Sequence, residues 1–330
     1  MKTPVFWSPG EGGALSLGLQ PLAWIYDGIS VLRRTFAGPG WRAPVPVICI
    51  GNVTAGGAGK TPVALDVGRR LIDQGRAVHF LSRGYGGRET GPLRVDVTRH
   101  SAADVGDEPL LLAATAPTWI AAERTAGIQH AVADGADAIV MDDGFQNPSI
   151  AKDFSVLVFD GGFGLGNGHL LPAGPLRERL STALHRSHAV AVIGDDATGI
   201  GKRIGAAHQP GPVVLSARIV AEAPPHGNDV DHPYVAFAGI GRPEKFFATL
   251  RETGRRIIET VSFADHHAYG NEDLKRLRQR AAHQNARLIT TEKDAARLRP
   301  EDREDIETLT ITLQWDDETK LNSLLSTLFD

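Results

Sequence analysis

Apolar positions along the chain come in two rhythms. Short unbroken runs, each closed by glycine or by acid, alternate with stretches in which apolar residues recur every three or four positions. Val45 to Ile50, Ala77 to Leu81, Ala138 to Met141, the run FSVLVFD that ends at Asp160, and AVAVIGD (Ala189 to Asp195) read as buried strands. Val63, Val67 and Leu71 lie on one face of a helix that follows the first of them. From Gly199 to about Asp231 the composition shifts to Gly, Pro, His and Ala around one short strand, PVVLSARIV, and reads as a connector. The alternation then resumes with strand YVAFAGIG, helix PEKFFATLRETG, strand-and-loop RRIIETVSFADHHAYG, helix NEDLKRLRQRAAHQ capped by Asn271, and strand-and-loop ARLITTEKDAARL. This repeated strand–turn–helix order predicts a mostly parallel α/β sheet over 41–225 and a smaller α/β unit over 226–330.

A third pattern precedes these. Between Glu11 and Asp27 there is no charge; Leu22, Trp24, Ile25, Tyr26, Ile29, Val31 and Leu32 then cluster, and Arg33-Arg34 closes the run. Pro21 starts or kinks a helix here. Residues 1–40 therefore carry an amphipathic helix, read either as interfacial, with arginines at lipid headgroups, or as packed on the protein's own core.

The turns after the strands carry the chemistry. The stretch GNVTAGGAGKTP places Thr54, Ala55, Gly56, Gly57, Ala58, Gly59, Lys60 and Thr61 between a strand and a helix. Glycines let backbone N–H groups surround an anion, the helix N-terminus adds positive potential, Lys60 neutralises terminal phosphates and Thr61 offers a hydroxyl to Mg²⁺. In the pattern G-x-x-x-x-G-K-[ST] the first glycine falls on Thr54, a departure. Asp142 and Asp143 end a buried strand, where P-loop NTPases place a metal-supporting acid. Asp107 and Glu108 open a helix, as caps or as chemistry. Arg83 and Tyr85 follow a strand end in a glycine-rich loop, and Asp265, His266, His267 and Tyr269 do so in the second unit. The adjacent histidines make a poor zinc site.

Composition narrows the class. At 330 residues two compact units are the natural expectation, and 42% hydrophobic with 22% charged residues describes an ordinary globular chain. A formal charge of −4 argues against nucleic acid as the main partner. A single cysteine excludes a disulfide framework and a thiolate zinc site, and fits a reducing compartment. No run reaches the roughly 18 apolar residues of a spanning helix. The opening MKTPVFWSPGEGG has proline and glycine where a cleavable signal peptide would have its apolar core.

In order along nearly the whole chain stand GNVTAGGAGKTP, SRGYGG, VGDEP, DDGFQ, an NGxxLPAGPLRE stretch, AGIGRPEKFF, FADHHAY and TTEKDA. In these the chain resembles the tetraacyldisaccharide 4′-kinases of lipid A biosynthesis, and the Thr54 departure is one that family shares. The resemblance implies a P-loop NTPase-like mostly parallel sheet domain, a second smaller α/β domain closing over the cleft, and an N-terminal amphipathic helix. It implies phosphorylation of the 4′-hydroxyl of tetraacyldisaccharide 1-phosphate by ATP and Mg²⁺, giving lipid IVA. The partners implied are the lipid A disaccharide precursor and a membrane surface, with no protein partner evident. The place implied is the cytoplasmic face of the inner membrane, peripheral and monotopic. Carried residue by residue, Asp107 is the base and His266 its partner, while Gly56 to Gly59 and Lys60 hold the phosphates. Thr61 binds Mg²⁺, with Glu108, Asp142 and Asp143 supporting metal or substrate. Arg83, Tyr85, Gln146 and Glu178 are candidates for nucleotide or lipid-headgroup contacts. The competing expectation is a P-loop ATPase acting as a regulatory or partitioning switch, against which Ala55 counts, because that group carries a lysine there.

Overall fold

A computed structural model describes residues 4–207, 211–222 and 232–329. Strands β1 (Val47–Gly51), β2 (Val78–Ser82), β3 (Leu93–Arg94), β4 (Thr118–Ile120), β5 (Ala138–Asp142), β6 (Phe154–Asp160), β7 (Ala189–Ile193) and β8 (Val213–Ala221) are followed by β9 (Pro233–Ala238), β10 (Arg256–Ser262), β11 (Arg287–Thr291), β12 (Ile306–Leu309) and β13 (Ile311–Trp315). They form a large sheet in the order β13-β8-β7-β6-β1-β5-β2-β4-β3 and a small one in the order β10-β9-β11-β12. β1 runs parallel to both its neighbours, β5 and β6, and only the edges β3 and β13 pair antiparallel. A central parallel strand is covered on both faces, which is why β1 is apolar without interruption. Its side chains divide by alternation: Ile48 and Ile50 join the core under helix Lys60–Asp73, while Val47 and Cys49 join the core on the other face.

The chain's end departs from the expected division into 41–225 and 226–330. Strand β13 pairs with β8 at the edge of the large sheet, and Leu321 and Leu325 of helix Glu318–Ser326 share the core of the phosphate-loop helix. The small sheet thus ends at Leu309, and Thr310 alone separates the strands of the two sheets. The expected connector is corrected as well. Helix Ile200–Ala207 and the nine-residue β8 are parts of the large unit, and the presumed boundary near residue 225 falls outside the described residues. Gly270, not Asn271, caps helix Asn271–His283.

At the N-terminus, helix Gln20–Phe36 carries proline in its first turn and buries only Ala23 and Asp27. Its bulky apolar residues face outward: Trp24 is 67% exposed, Ile25 59%, Ile29 60% and Phe36 83%. The apolar side is therefore not packed on the protein's own core. Among the described residues no helix is long and apolar enough to cross a membrane.

Candidate active site

The phosphate-loop candidate lies between β1 and helix Lys60–Asp73 at the centre of the large sheet, beyond the carboxyl ends of its parallel strands. Gly59 has φ +87°, a left-handed turn that feeds the chain into the helix, as glycine permits at no steric cost. The departure at Thr54 has a structural reason. Thr54 pairs in an antiparallel bridge with Leu176, and the Ala55 N–H donates to the Pro175 carbonyl at 2.8 Å. The first part of the loop is thus strapped to the LPAGPLRE segment and needs no glycine there.

Register brings the strand-end acids to this loop, because Asp142 pairs with Ile50 across β1 and β5. Thr61 Oγ1 donates to Asp142 Oδ2 at 2.9 Å, and Asp142 Oδ1 is buried with no hydrogen-bond partner. Burial, then the Glu108 charge, pushes the Asp142 carboxyl up to about 7, with Lys60 opposing. Asp143 sits at φ +56°, 3.7 Å from Lys60 and 3.2 Å from Arg177. Burial works against its ionisation, but Lys60 and Arg177 hold its carboxyl below the usual range.

Asp107 opens helix Asp107–Ala113 behind Gly106, whose φ of +89° and close approach to the Tyr85 carbonyl admit no Cβ. Its Oδ1 accepts the Glu108 N–H at 2.9 Å. Its Oδ2 lies 3.0 Å from His266 Nδ1 and accepts from Arg297 Nε at 2.8 Å and from Arg297 Nη2. Burial resists the charge on Asp107, but the His266 hydrogen bond and the Lys293 and Arg297 charges outweigh it and hold the carboxyl well below its ordinary value. Glu108 pairs with Lys293 at 2.9 Å. Tyr85, 68% exposed, sets its ring edge-on to His266 with centroids 5.8 Å apart.

The two histidines separate in role. His266 takes φ +57° and reaches Asp107, whereas His267 stacks on Phe263 and lies 3.0 Å from Asp273 Oδ2. Tyr269 donates to Asp294 at 2.7 Å within the small unit. Gln146 and Glu178 do not join the Asp107 group. Gln146 Nε2 donates to the Asn52 carbonyl and to Glu178, which is fully buried between Arg34 and Arg186. They form a knot between helix Gln20–Phe36 and the phosphate loop. Arg83 is exposed beyond β2.

Thr291, Glu292, Lys293 and Asp294 stand at a strand end, where the sequence reading expects chemistry-bearing residues. That reading did not foresee Lys293 and Arg297 as partners of Glu108 and Asp107, and it missed Arg242 and Lys245, which grip Asp160 at 2.7 and 2.6 Å. The four-residue spacing of Lys293 and Arg297 just after a strand end was the available signal.

Among the described residues no group of three or more His, Cys, Asp or Glu is placed to hold a metal ion by itself. The donor set fits Mg²⁺ completed by phosphate oxygens and water, as such sites usually use one or two carboxylates. The unpartnered Asp142 Oδ1 beside the Thr61 hydroxyl is where such an ion fits.

The sequence profile of the tetraacyldisaccharide-1-P 4′-kinases matches residues 15–330. The tetraacyldisaccharide 4′-kinase of Parvibaculum lavamentivorans is 55% identical over 301 residues, covering 90% of this chain and 87% of that one. That of Gluconacetobacter diazotrophicus is 51% identical over 332 residues, covering 100% and 99%. The crystal structure of LpxK from Aquifex aeolicus in complex with ATP matches with a TM-score of 0.76 at 25% identity, over 96% of this chain and 100% of that one. None of these supports the switch-ATPase expectation. The likeness covers nearly the whole chain, and the chain belongs to the tetraacyldisaccharide 4′-kinase family.

Proposed function

We infer that the chain transfers the γ-phosphoryl group of ATP to the 4′-hydroxyl of tetraacyldisaccharide 1-phosphate, forming lipid IVA. The observation that carries the reading is the meeting of Asp107 and His266, 3.0 Å apart, from loops of the two different sheets, with Glu108 next to Asp107 acting on the Asp142 that pairs with Thr61. The backbone from Gly56 to Gly59 and Lys60 hold the triphosphate at a helix N-terminus. Thr61 and Asp142 would hold Mg²⁺, which would neutralise phosphate charge. Glu108, paired to Lys293, shapes the field at Asp142 rather than ligating.

Asp107 accepts the hydroxyl proton as the acceptor oxygen attacks. Its depressed proton affinity keeps it ionised at working pH. A loose phosphoryl-transfer transition state asks for little early proton removal, so a fixed carboxylate suffices. His266 holds Asp107 from the small unit, so the base is assembled only when the two units meet. The outward apolar side of helix Gln20–Phe36 supports a peripheral position on the cytoplasmic face of the inner membrane, where the acceptor is embedded.

The test is ATP consumption in mixed micelles with and without the tetraacyl disaccharide acceptor. Turnover is expected to depend on the acceptor, and Asp107→Ala and His266→Ala each to lower kcat by about 10²- to 10⁴-fold at saturating substrates. An acceptor that fails to stimulate phosphate transfer overturns the reading. Unchanged turnover in both variants removes the pair from the chemistry.

A further inference from the structure

Resting on the kinase reading, we propose that Arg297 is a positioning residue that occupies one oxygen of Asp107 and so assigns the other, Oδ1, to receive the acceptor proton. Three donors converge on Oδ2: His266 Nδ1, Arg297 Nε and Arg297 Nη2. Oδ1 has the Glu108 N–H alone, which leaves it a lone pair. The carboxylate is held from both sides. On the large unit Gly106 fixes the backbone of Asp107 against the Tyr85 carbonyl. On the small unit the Arg297 guanidinium, its side chain 4% exposed, closes over Oδ2.

The other end of that guanidinium explains how the pair is set as one object. Arg297 Nη1 donates to Asp294 Oδ1 at 2.8 Å and to the Gly239 carbonyl at 2.6 Å. The same Gly239 carbonyl accepts the His266 N–H at 3.0 Å, and the Gly239 N–H donates to Asp294 Oδ1 at 2.9 Å. Asp294, fully buried, also accepts from Tyr269 three residues beyond His266 and from Thr291. A side chain at position 239 would come within 3.1 Å of Asp294 Oδ1 and within 3.0 Å of both Tyr269 Oη and the Ala264 carbonyl, so this turn has no slack. One buried acid therefore fixes both arms that reach Asp107. A lysine ammonium carries its three donors on one nitrogen, whereas the guanidinium spreads its own, with Nε and Nη2 on Asp107 and Nη1 on Asp294 and Gly239.

The experiment measures steady-state kinetics of Arg297→Lys, Arg297→Ala, His266→Ala and the Arg297→Ala/His266→Ala double variant in mixed micelles, with thermal unfolding of each. Arg297→Lys keeps the charge that both acids need and so tests geometry in a folded protein. It is expected to lower kcat about 10- to 100-fold, the scale of a roughly 1 Å misplacement, with KM for ATP within about twofold. Millimolar guanidinium is expected to restore part of the kcat of Arg297→Ala. The double variant is expected to be no more than about threefold slower than His266→Ala, because both act through one carboxylate. Parental kcat in Arg297→Lys, or losses that multiply in the double variant, overturn the assignment. A parent enzyme without acceptor-dependent turnover instead overturns the kinase reading, and this inference with it.

Discussion

At the scale of single residues, Asp142 is the side chain whose state depends most on what binds beside it. It is buried, its Oδ1 is unpartnered, and its carboxyl is pushed up to about 7 from 3.8 by burial and the Glu108 charge. Because the folded value lies above the unfolded one, the folded protein binds the extra proton. The associated stability is fully present below about pH 4 and is lost as pH rises through about 7. Asp142→Asn removes the ionising group, so the ligand-free variant is expected to exceed the parent's unfolding midpoint at pH 8 by a few degrees, by clearly less at pH 5, and to match it only below about pH 4. Mg²⁺·ATP should stabilise the parent at pH 8 and the variant far less. Differential scanning calorimetry at these pH values checks both, and equal pH dependence in parent and variant would mean the charge is already compensated. Legibility at this scale followed chain context. Asp107, Asp142, Lys60 and Thr61 were readable because each ends a strand or opens a helix in a recognisable motif, and His266 because it lies in the FADHHAY loop just after a strand. Arg297 was not, since its role is fixed by a carboxylate 190 positions away.

Among elements, helix Gln20–Phe36 is held by its polar residues and presents its apolar ones. Asp27, buried, pairs with Arg179 at 2.6 Å, and Arg34 reaches the buried Glu178 at 3.5 Å. Glu178 binds Gln146, whose amide holds the Asn52 carbonyl at the start of the phosphate loop. The helix is thus fastened by charge to the segment that straps the loop, leaving Trp24, Ile25 and Ile29 exposed. Each large apolar side chain transferred from water contributes about 1.5–3 kcal/mol, so Trp24→Glu with Ile29→Glu is expected to cut co-sedimentation with anionic vesicles at least tenfold. Since neither residue is packed inside, the unfolding midpoint should stay within about a degree. Undiminished vesicle binding would place the contact elsewhere. The sequence pattern located this helix and took Pro21 as its start or a kink, and it is in the first turn; it left open which way the apolar side faces, because periodicity is the same for a buried and an interfacial stripe. The strand PVVLSARIV was legible and is β8, but the glycine-containing helix Ile200–Ala207 before it resembles linker until its packing against the sheet is supplied.

For the whole molecule, what the sequence could not disclose is how the chain's end returns. Nothing local in the run ITLQW says that it leaves the small sheet after Thr310 and closes the edge of the large one. Beside apolar contacts of Ala296 and Ala221 across them, the two units are tied by charge, with acids on the large unit and bases on the small: Asp107 with Arg297 and His266, Glu108 with Lys293, Asp160 with Arg242 and Lys245. The Asp160 tie lies at the end of β6, the neighbour of β1, so it holds the turn before helix Pro243–Glu252 against the glycine loop. An added Cβ at Gly241 would stand 3.8 Å from the Gly57 nitrogen. Asp160→Asn conserves shape, keeps an oxygen for the Gly162 N–H and removes the charge that binds two cations. Arg242 and Lys245 are 34% and 49% exposed, so water takes them up and the stability cost should stay near 1 kcal/mol. The turn, however, loses its anchor. Amide exchange across Gly239–Arg242 and helix Pro243–Glu252 is expected to quicken about tenfold, kcat to fall severalfold at saturating ATP, and high salt to move the parent the same way, though less because the pair is shielded. Exchange and kcat that both stay at parental values would mean that the units are held together without the Asp160 tie. An unfolding midpoint that collapses instead would make Asp160 a folding residue rather than a clasp on the loop.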